Sequence, residues 1–252
     1  MNKTMTEIWL SVRHQIILVP KARPRCWLLM VFLLVLTSMM ACQGNLSLKN
    51  SDKTETELVN VDNVSLVEQG IKKSHQGKYQ DAIVDFTEAI DKNPQDVNAY
   101  FNRGFAYSNL GEFEKALADF SQSVMLDPKL AEAYVNRGNV YLQLGEDQQA
   151  ISNYLEAIKL NANSAFAHNN LGLAYLNSGQ ADLAQKNFTK AIKITPDYGE
   201  AYFNRGLAFS DLDQTKKARS DWQKAAQLWQ EQGNHEASEA ALEQLSVLEN
   251  SP

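Results

Sequence analysis

Four asparagines recur along the chain at i, i+34, i+68 and i+102, and their side chains suit the binding of a peptide backbone. They are Asn102, Asn136, Asn170 and Asn204. A primary amide offers one acceptor oxygen and two donor hydrogens, so a row of amides can hold an extended peptide whatever its sequence. Close to them in the sequence stand Phe101, Phe105, Val135, Asn139, Asn169 and Phe203. The alternative interpretation is that each repeated amide satisfies a local backbone group.

Three arginines repeat in the same register and indicate ion pairs rather than a ligand site. They are Arg103, Arg137 and Arg205. Asp119 and Asp221 occupy position i+16 relative to the first and third of them, where a returning helix would place a carboxylate. Because a guanidinium binds a carboxylate through two parallel hydrogen bonds, this spacing predicts pairs within each helical hairpin. Asn153 stands at the corresponding position for the second arginine, which weakens the prediction there.

Residues that could carry catalysis or hold a metal ion are sparse. The four histidines are scattered along the sequence: His14, His75, His168 and His235. The sequence contains no HExxH, GxSxG, CxxC or glycine-rich phosphate loop. A zinc site needs three or four converging ligands, which isolated histidines do not supply. The sequence therefore predicts no catalytic site, no metal site and no cofactor.

An internal repeat indicates the elements that position these residues. The hexapeptide AYFNRG occurs at 99–104 and 201–206, and AYVNRG occurs at 133–138, so all three copies fit the same spacing as the asparagines. Glycine keeps this spacing at Gly70, Gly104, Gly138, Gly172 and Gly206. Alanine keeps it at Ala82, Ala116, Ala150, Ala184 and Ala218. A fixed period of this length is typical of stacked structural repeats.

Each repeat has the pattern of two amphipathic helices joined by a short turn. Apolar or small residues recur at spacings of three and four, which predicts helices with one apolar face. Gly145 follows a first helix, where a left-handed cap is needed, and Pro128 follows a second helix that it cannot continue. Because the turn is short, the two helices must be antiparallel. Gly138 and Ala150 lack bulk, so the helices can approach closely, and stacking of successive pairs buries a continuous core.

This pattern resembles the tetratricopeptide repeat family. The resemblance implies an all-α, right-handed superhelical solenoid of five hairpins, at 63–96, 97–130, 131–164, 165–198 and 199–232. It also implies that the first helices line a concave groove into which the four repeated asparagines point, and that the groove binds a protein or peptide partner. The wall of that groove would then be formed by Phe101, Phe105, Val135, Asn139, Asn169 and Phe203. The two-lysine arrangement by which chaperone-binding members grip a C-terminal carboxylate is missing. Residues 233–252 look like the capping helix and tail, with Asn234 as its N-cap.

Residues 1–42 have the features of a targeting segment. Basic KARPR at 21–25 precedes an apolar run at 26–41, which is shorter than the roughly 20 residues that a spanning helix needs. Cys42 directly follows Ala41, and this arrangement resembles the bacterial lipoprotein signal, which implies cleavage before Cys42 and lipidation of its sulfur. The alternatives are an uncleaved N-terminal anchor and a cleaved soluble protein. The polar segment 43–62 predicts a flexible tether.

Charge and composition limit the partners. The chain of 252 residues carries a net charge of −6, and residues 1–42 carry +4, so the remainder carries −10. An acidic body argues against nucleic acid, which needs clustered lysine and arginine.

Together these features predict a membrane-anchored, non-enzymatic adaptor or assembly factor on the non-cytoplasmic side of a bacterial cell envelope. The alternatives are a self-associating scaffold with an empty groove, and a cytoplasmic adaptor if the signal is not used. A third alternative is a carbohydrate binder that uses Phe101, Phe105, Phe166 and Phe203 as platforms.

Overall fold

The computed structural model describes residues 65–249, and in this range the chain forms eleven α-helices and no β-strand. The helices are α1 (65–75), α2 (Tyr79–Lys92), α3 (Val97–Asn109), α4 (Phe113–Leu126), α5 (Ala131–Gln143), α6 (Asp147–Leu160), α7 (Ala165–Asn177), α8 (Ala181–Ile194), α9 (Gly199–Asp211), α10 (Thr215–Glu231) and α11 (His235–Glu249). The predicted targeting segment and tether lie outside the described residues.

The helices pack as consecutive pairs, and each pair contacts the next one along the chain. The pairs are α1 with α2, α3 with α4, α5 with α6, α7 with α8, and α9 with α10. The first helices of the last four pairs begin at Val97, Ala131, Ala165 and Gly199, which are the first residues of the second to fifth predicted repeats. This arrangement confirms the predicted all-α solenoid.

A left-handed residue follows the first helix of every pair. Gly145 has a φ of 74°, which confirms the cap predicted at this position. Three other turns use glycine in the same way, at Gly77, Gly111 and Gly179. In the fifth pair Asp213 adopts a φ of 57°, a conformation that L-residues with a Cβ disfavour.

The glycine column on the first helices makes room for a column of rings on the second helices. A Cβ added at Gly138 would lie 2.8 Å from Cε1 of Tyr154, and one at Gly172 would lie 2.6 Å from Cε1 of Phe188. The rings in this column are fully buried: Phe86, Phe120, Tyr154, Phe188 and Trp222. Each ring thus fills the space left by the missing glycine side chain, and this sets the close approach of the two helices.

Apolar clusters bridge each pair of helices to the next pair. Phe120 of α4 packs with Val140 of α5, and Phe188 of α8 packs with Ala208 of α9. Because each pair buries part of its surface only against its neighbours, its stability depends on them.

The last helix, α11, covers the end of the stack. Asn234 accepts a hydrogen bond from the backbone N–H of Ala237 at 3.2 Å, as expected for the predicted N-cap. Ala241 is fully buried beside Trp222 and Trp229. No helix within residues 65–249 is long and apolar enough to cross a bilayer.

Candidate peptide-binding face

The first helices α3, α5, α7 and α9 lie side by side, because each one directly contacts the next first helix along the chain. The residues predicted to bind a peptide all lie on these four helices. We call this set of residues the groove face: Phe101, Asn102, Phe105, Val135, Asn136, Asn139, Asn169, Asn170, Phe203 and Asn204.

In the first two helices of the groove face, the repeated asparagine binds its own helix. Asn102 Nδ2 donates to the backbone oxygen of Asn98 at 2.8 Å, and Asn136 Nδ2 donates to that of Glu132 at 2.9 Å. Each bond uses one of the two amide hydrogens, so the second hydrogen and the amide oxygen can still bind a ligand. Asn102 and Asn136 can therefore hydrogen-bond their own helix and a bound peptide at the same time.

In the last two helices, the repeated asparagines join a network that crosses from helix to helix. Asn170 Nδ2 donates to Asn139 Oδ1 at 2.9 Å, and Asn204 Nδ2 donates to Asn169 Oδ1 at 3.2 Å. Asn169 Nδ2 in turn donates to Asn170 Oδ1 at 3.2 Å, and the hydroxyl of Tyr154 donates to Asn139 Oδ1 at 2.8 Å. These bonds link α5, α7 and α9 into one polar chain.

The four repeated amides are therefore not equivalent, although their common spacing indicated that they were. The difference comes from Asn139 and Asn169, since the other first helices have apolar residues in those registers. The corresponding residues are Phe105, Leu173 and Leu207 for Asn139, and Phe101, Val135 and Phe203 for Asn169. Asn102 and Asn136 therefore remain better placed to bind a peptide than Asn170 and Asn204.

The three phenylalanines of the groove face differ in their exposure to a ligand. The ring of Phe101 packs on Phe120, with centroids 5.9 Å apart, and that of Phe203 packs on Trp229, with centroids 5.6 Å apart. Phe105 is 39% exposed. Phe101 and Phe203 thus mainly stabilise the helix pairs, whereas Phe105 can contact a ligand.

A cleft of about 160 Å³ opens beside the groove face, between the start of α5, the end of α6 and the start of α7. Its lining includes Val135 and Asn136 of the predicted set. The other lining residues are Ala131, Glu132, Ala157, Asn161, Ser164 and Phe166. Phe166 is 50% exposed, so its ring forms an open side of the cleft.

The sequence analysis did not predict Glu132 as a binding residue, although its position within the repeat could have indicated it. Glu132 and Phe166 take the second position of consecutive repeats, and they stand four positions before Asn136 and Asn170. On an α-helix, residues four apart lie on the same face. The residue at the second position of each repeat could therefore have been predicted to lie on the same helix face as the repeated asparagine.

The predicted arginine pairs are confirmed. Arg103 Nε and Nη2 each donate to the Asp119 carboxylate at 2.8 Å, and Arg205 binds Asp221 in the same way at 2.7 and 2.8 Å. The hydrogen bond to Asp119 raises the pKa of Arg103 above its ordinary value. These bidentate pairs hold the first helix to the second within a hairpin.

Each of the three repeated arginines also reaches the preceding hairpin. Arg103 Nη1 donates to Thr87 Oγ1 at 3.1 Å, Arg137 Nη1 donates to Ser121 Oγ at 3.2 Å, and Arg205 Nη1 makes the equivalent bond to a threonine of α8. Arg137 Nε donates to the neutral Asn153 Oδ1 at 2.8 Å in place of a carboxylate. The arginines therefore stabilise the stack and do not belong to the candidate ligand site.

His168 lies in the interior, where its ring nitrogens face protein oxygens. Nδ1 lies 3.4 Å from Asn187 Oδ1, and Nε2 lies 3.2 Å from the backbone oxygen of Ala162. Within residues 65–249, no group of three His, Cys, Asp or Glu side chains could hold a metal ion.

Comparison with known proteins identifies the repeat. A family model described as TPR repeat matches residues 75–111 and 138–179, and three described as tetratricopeptide repeat match 97–130, 165–198 and 187–220. The crystal structure of MamA is 30% identical, and the match covers 65% of this chain and 96% of MamA with a TM-score of 0.61. The chain belongs to the tetratricopeptide repeat family.

Other solved structures share the fold of this tetratricopeptide repeat chain. A MamA chain from Desulfovibrio magneticus RS-1 is 22% identical over 68% of this chain and 97% of its own length, with a TM-score of 0.63. YrrB, described as a TPR protein with an unusual peptide-binding site, is 19% identical over 77% and 98%, with a TM-score of 0.60. The comparison with curated proteins finds no match.

Proposed function

We propose that this tetratricopeptide repeat chain is a non-enzymatic adaptor that binds an extended segment of another protein on its groove face. The observation that carries the proposal is the cleft between α5 and α7, which is lined by Val135 and Asn136. A segment lying across α3 and α5 can bond its backbone to the amides of Asn102 and Asn136 and place one side chain in the cleft. The peptide-binding site described for YrrB supports this use of the fold.

A pull-down with the full-length tagged chain tests the groove proposal. We expect the wild type to capture a partner that Asn102→Ala plus Asn136→Ala loses by about tenfold or more, since two ligand-facing amides are removed. The matched control is Ser152→Ala. This side chain also bonds a backbone oxygen four residues earlier, at 2.9 Å, but it lies on the second helix α6. Equal capture by all three proteins would contradict the proposal.

We further propose that the chain is held on the non-cytoplasmic side of a bacterial membrane through a lipid on Cys42. The support is the order of the N-terminal sequence: a basic flank, a short apolar run, Ala41 and then Cys42. A tether concentrates the groove near other envelope proteins, which favours weak but repeated binding. Metabolic labelling with radioactive palmitate tests this, because Cys42→Ala should lose the label and leave the membrane fraction. Absence of label from the wild type would contradict the lipid anchor.

A further inference from the structure

We propose that the cleft takes the side chain of a lysine or arginine, so that the segments bound on the groove face are basic at this position. This inference rests on the proposed function and specifies the class of peptide that the same site selects. The occupant is inferred from the charge and the shape of the lining.

The charged group of the cleft lining is the carboxylate of Glu132, whereas the side-chain oxygens of Asn161 and Ser164 already accept backbone N–H groups of the chain. The side chain of Glu132 is not among the carboxylates that form ion pairs within residues 65–249. Asn136 already donates one hydrogen to the backbone oxygen of Glu132, and its Oδ1 is a further acceptor in the lining. A carboxylate and an amide oxygen together suit an ammonium or guanidinium group, which donates several hydrogen bonds and accepts none.

The remaining lining suits the aliphatic stem of such a side chain. Val135 and Ala157 are buried and present carbon atoms to the cleft, which the half-exposed Phe166 also lines. Lysine and arginine bury their methylene stems on apolar surface while the charged head stays polar. A ring near the head adds a cation–π attraction.

The size of the cleft fits one long side chain. Its volume of about 160 Å³ equals the share of roughly five water molecules in the liquid. The small residues Ala131 and Ala157 leave this room between the helices.

The charges on the surrounding face disfavour an acidic occupant. None of the ten residues of the groove face is lysine or arginine. The C-terminal end of α6, which borders the cleft, carries the negative end of a helix dipole, and Lys159 in its last turn is paired with Glu156 at 2.9 Å. An aspartate or glutamate side chain would therefore meet repulsion here.

Glu132 also lies in the first turn of α5, where a carboxylate stabilises the helix by itself. Glu200 lies in the first turn of α9 in the same repeat register, but it does not line the cleft. Substitution of Glu200 therefore reproduces the helix effect without altering the cleft, which makes it the matched control.

Selection from a random peptide library displayed on phage tests the inference, with the full-length chain immobilised in detergent. We expect the wild type to enrich peptides with Lys or Arg at one fixed position. Glu132→Gln should lower this enrichment by up to about fivefold, as expected for one exposed charge contact. Glu132→Lys should shift the preference to Asp and Glu, and Glu200→Gln should behave like the wild type.

The outcomes separate this inference from the proposed function. Enriched peptides with no basic preference, or a preference unchanged in Glu132→Gln, would overturn the inference. If such peptides still lose binding in the Asn102→Ala plus Asn136→Ala variant, the groove remains the peptide site. If no enriched peptide depends on Asn102 and Asn136, both the inference and the groove proposal fail.

Discussion

Asp213 occupies a backbone conformation that the four equivalent turns of the solenoid give to glycine. Its φ is 57°, whereas Gly179 in the preceding turn has 75°. We predict that Asp213→Gly raises the free energy of unfolding by about 0.5 kcal/mol, because relief of the left-handed strain exceeds the entropy that glycine adds to the unfolded chain. Urea denaturation measures the change. Gly179→Asp is the reciprocal control and should destabilise, and a loss of stability in Asp213→Gly would contradict the account.

Gly138 packs against Tyr154, a buried ring that is hydrogen-bonded to the groove face. A Cβ there would press on the ring of Tyr154, whose hydroxyl binds Asn139 and so restricts the ring's movement. We predict that Gly138→Ala lowers the free energy of unfolding by about 2 kcal/mol, within the range for overpacked cores. Gly104→Ala should cost less, because its Cβ would lie 3.0 Å from the ring of Phe120, which has no hydroxyl tether. Thermal denaturation compares the two, and an equal or reversed order would be inconsistent with this explanation.

At the scale of the helix pair, Arg137 binds a neutral partner where Arg103 and Arg205 bind carboxylates. Asn153→Asp would supply the missing charge at a buried position. We predict that it raises the free energy of unfolding by about 1 kcal/mol, since charge-assisted hydrogen bonds are stronger than neutral ones. In an Arg137→Leu background the same change should destabilise, because the new carboxylate is then buried without a cation. Chemical denaturation at low and high salt measures both. A neutral or destabilising single change would count against the pairing account.

The terminal helix α11 protects the apolar end of the stack. Its buried Ser238 Oγ donates to the backbone oxygen of Ala226 at 3.1 Å, and Ala241 packs with Trp222 and Trp229. We predict that a chain ending at 234 loses hydrogen-exchange protection mainly in α9 and α10, because a solenoid transmits stability between neighbours. A chain ending at 249 is the control. Uniform loss of protection across all pairs would show that α11 has no local capping role.

At the scale of the whole molecule, the repeat period predicted the fold. The glycines and the rings keep the same spacing because in every hairpin a glycine of the first helix packs on a ring of the second. Gly138 with Tyr154 and Gly172 with Phe188 are examples. The pairing of Arg103 with Asp119 was also predictable, because position i+16 on the second helix of a hairpin faces position i on the first.

The groove face was less predictable from the sequence, because its bonds run between hairpins and do not follow the period. The partners of Asn170 and Asn204 stand 31 and 35 residues away, at Asn139 and Asn169. These offsets depend on how adjacent first helices slide and rotate relative to one another. The cleft depends on the same relation, so its residue Glu132 was found from the structure and not from the spacing.

Site-specific photo-cross-linking most directly tests whether the groove face is the binding surface. A benzoylphenylalanine placed at Phe105 or Phe166, both exposed on first helices, should cross-link the partner. The same probe at Val84 or Met125, which are more exposed but lie on the second helices α2 and α4, should not. Cross-linking only from Val84 and Met125 would contradict the account and assign binding to the opposite side of the solenoid.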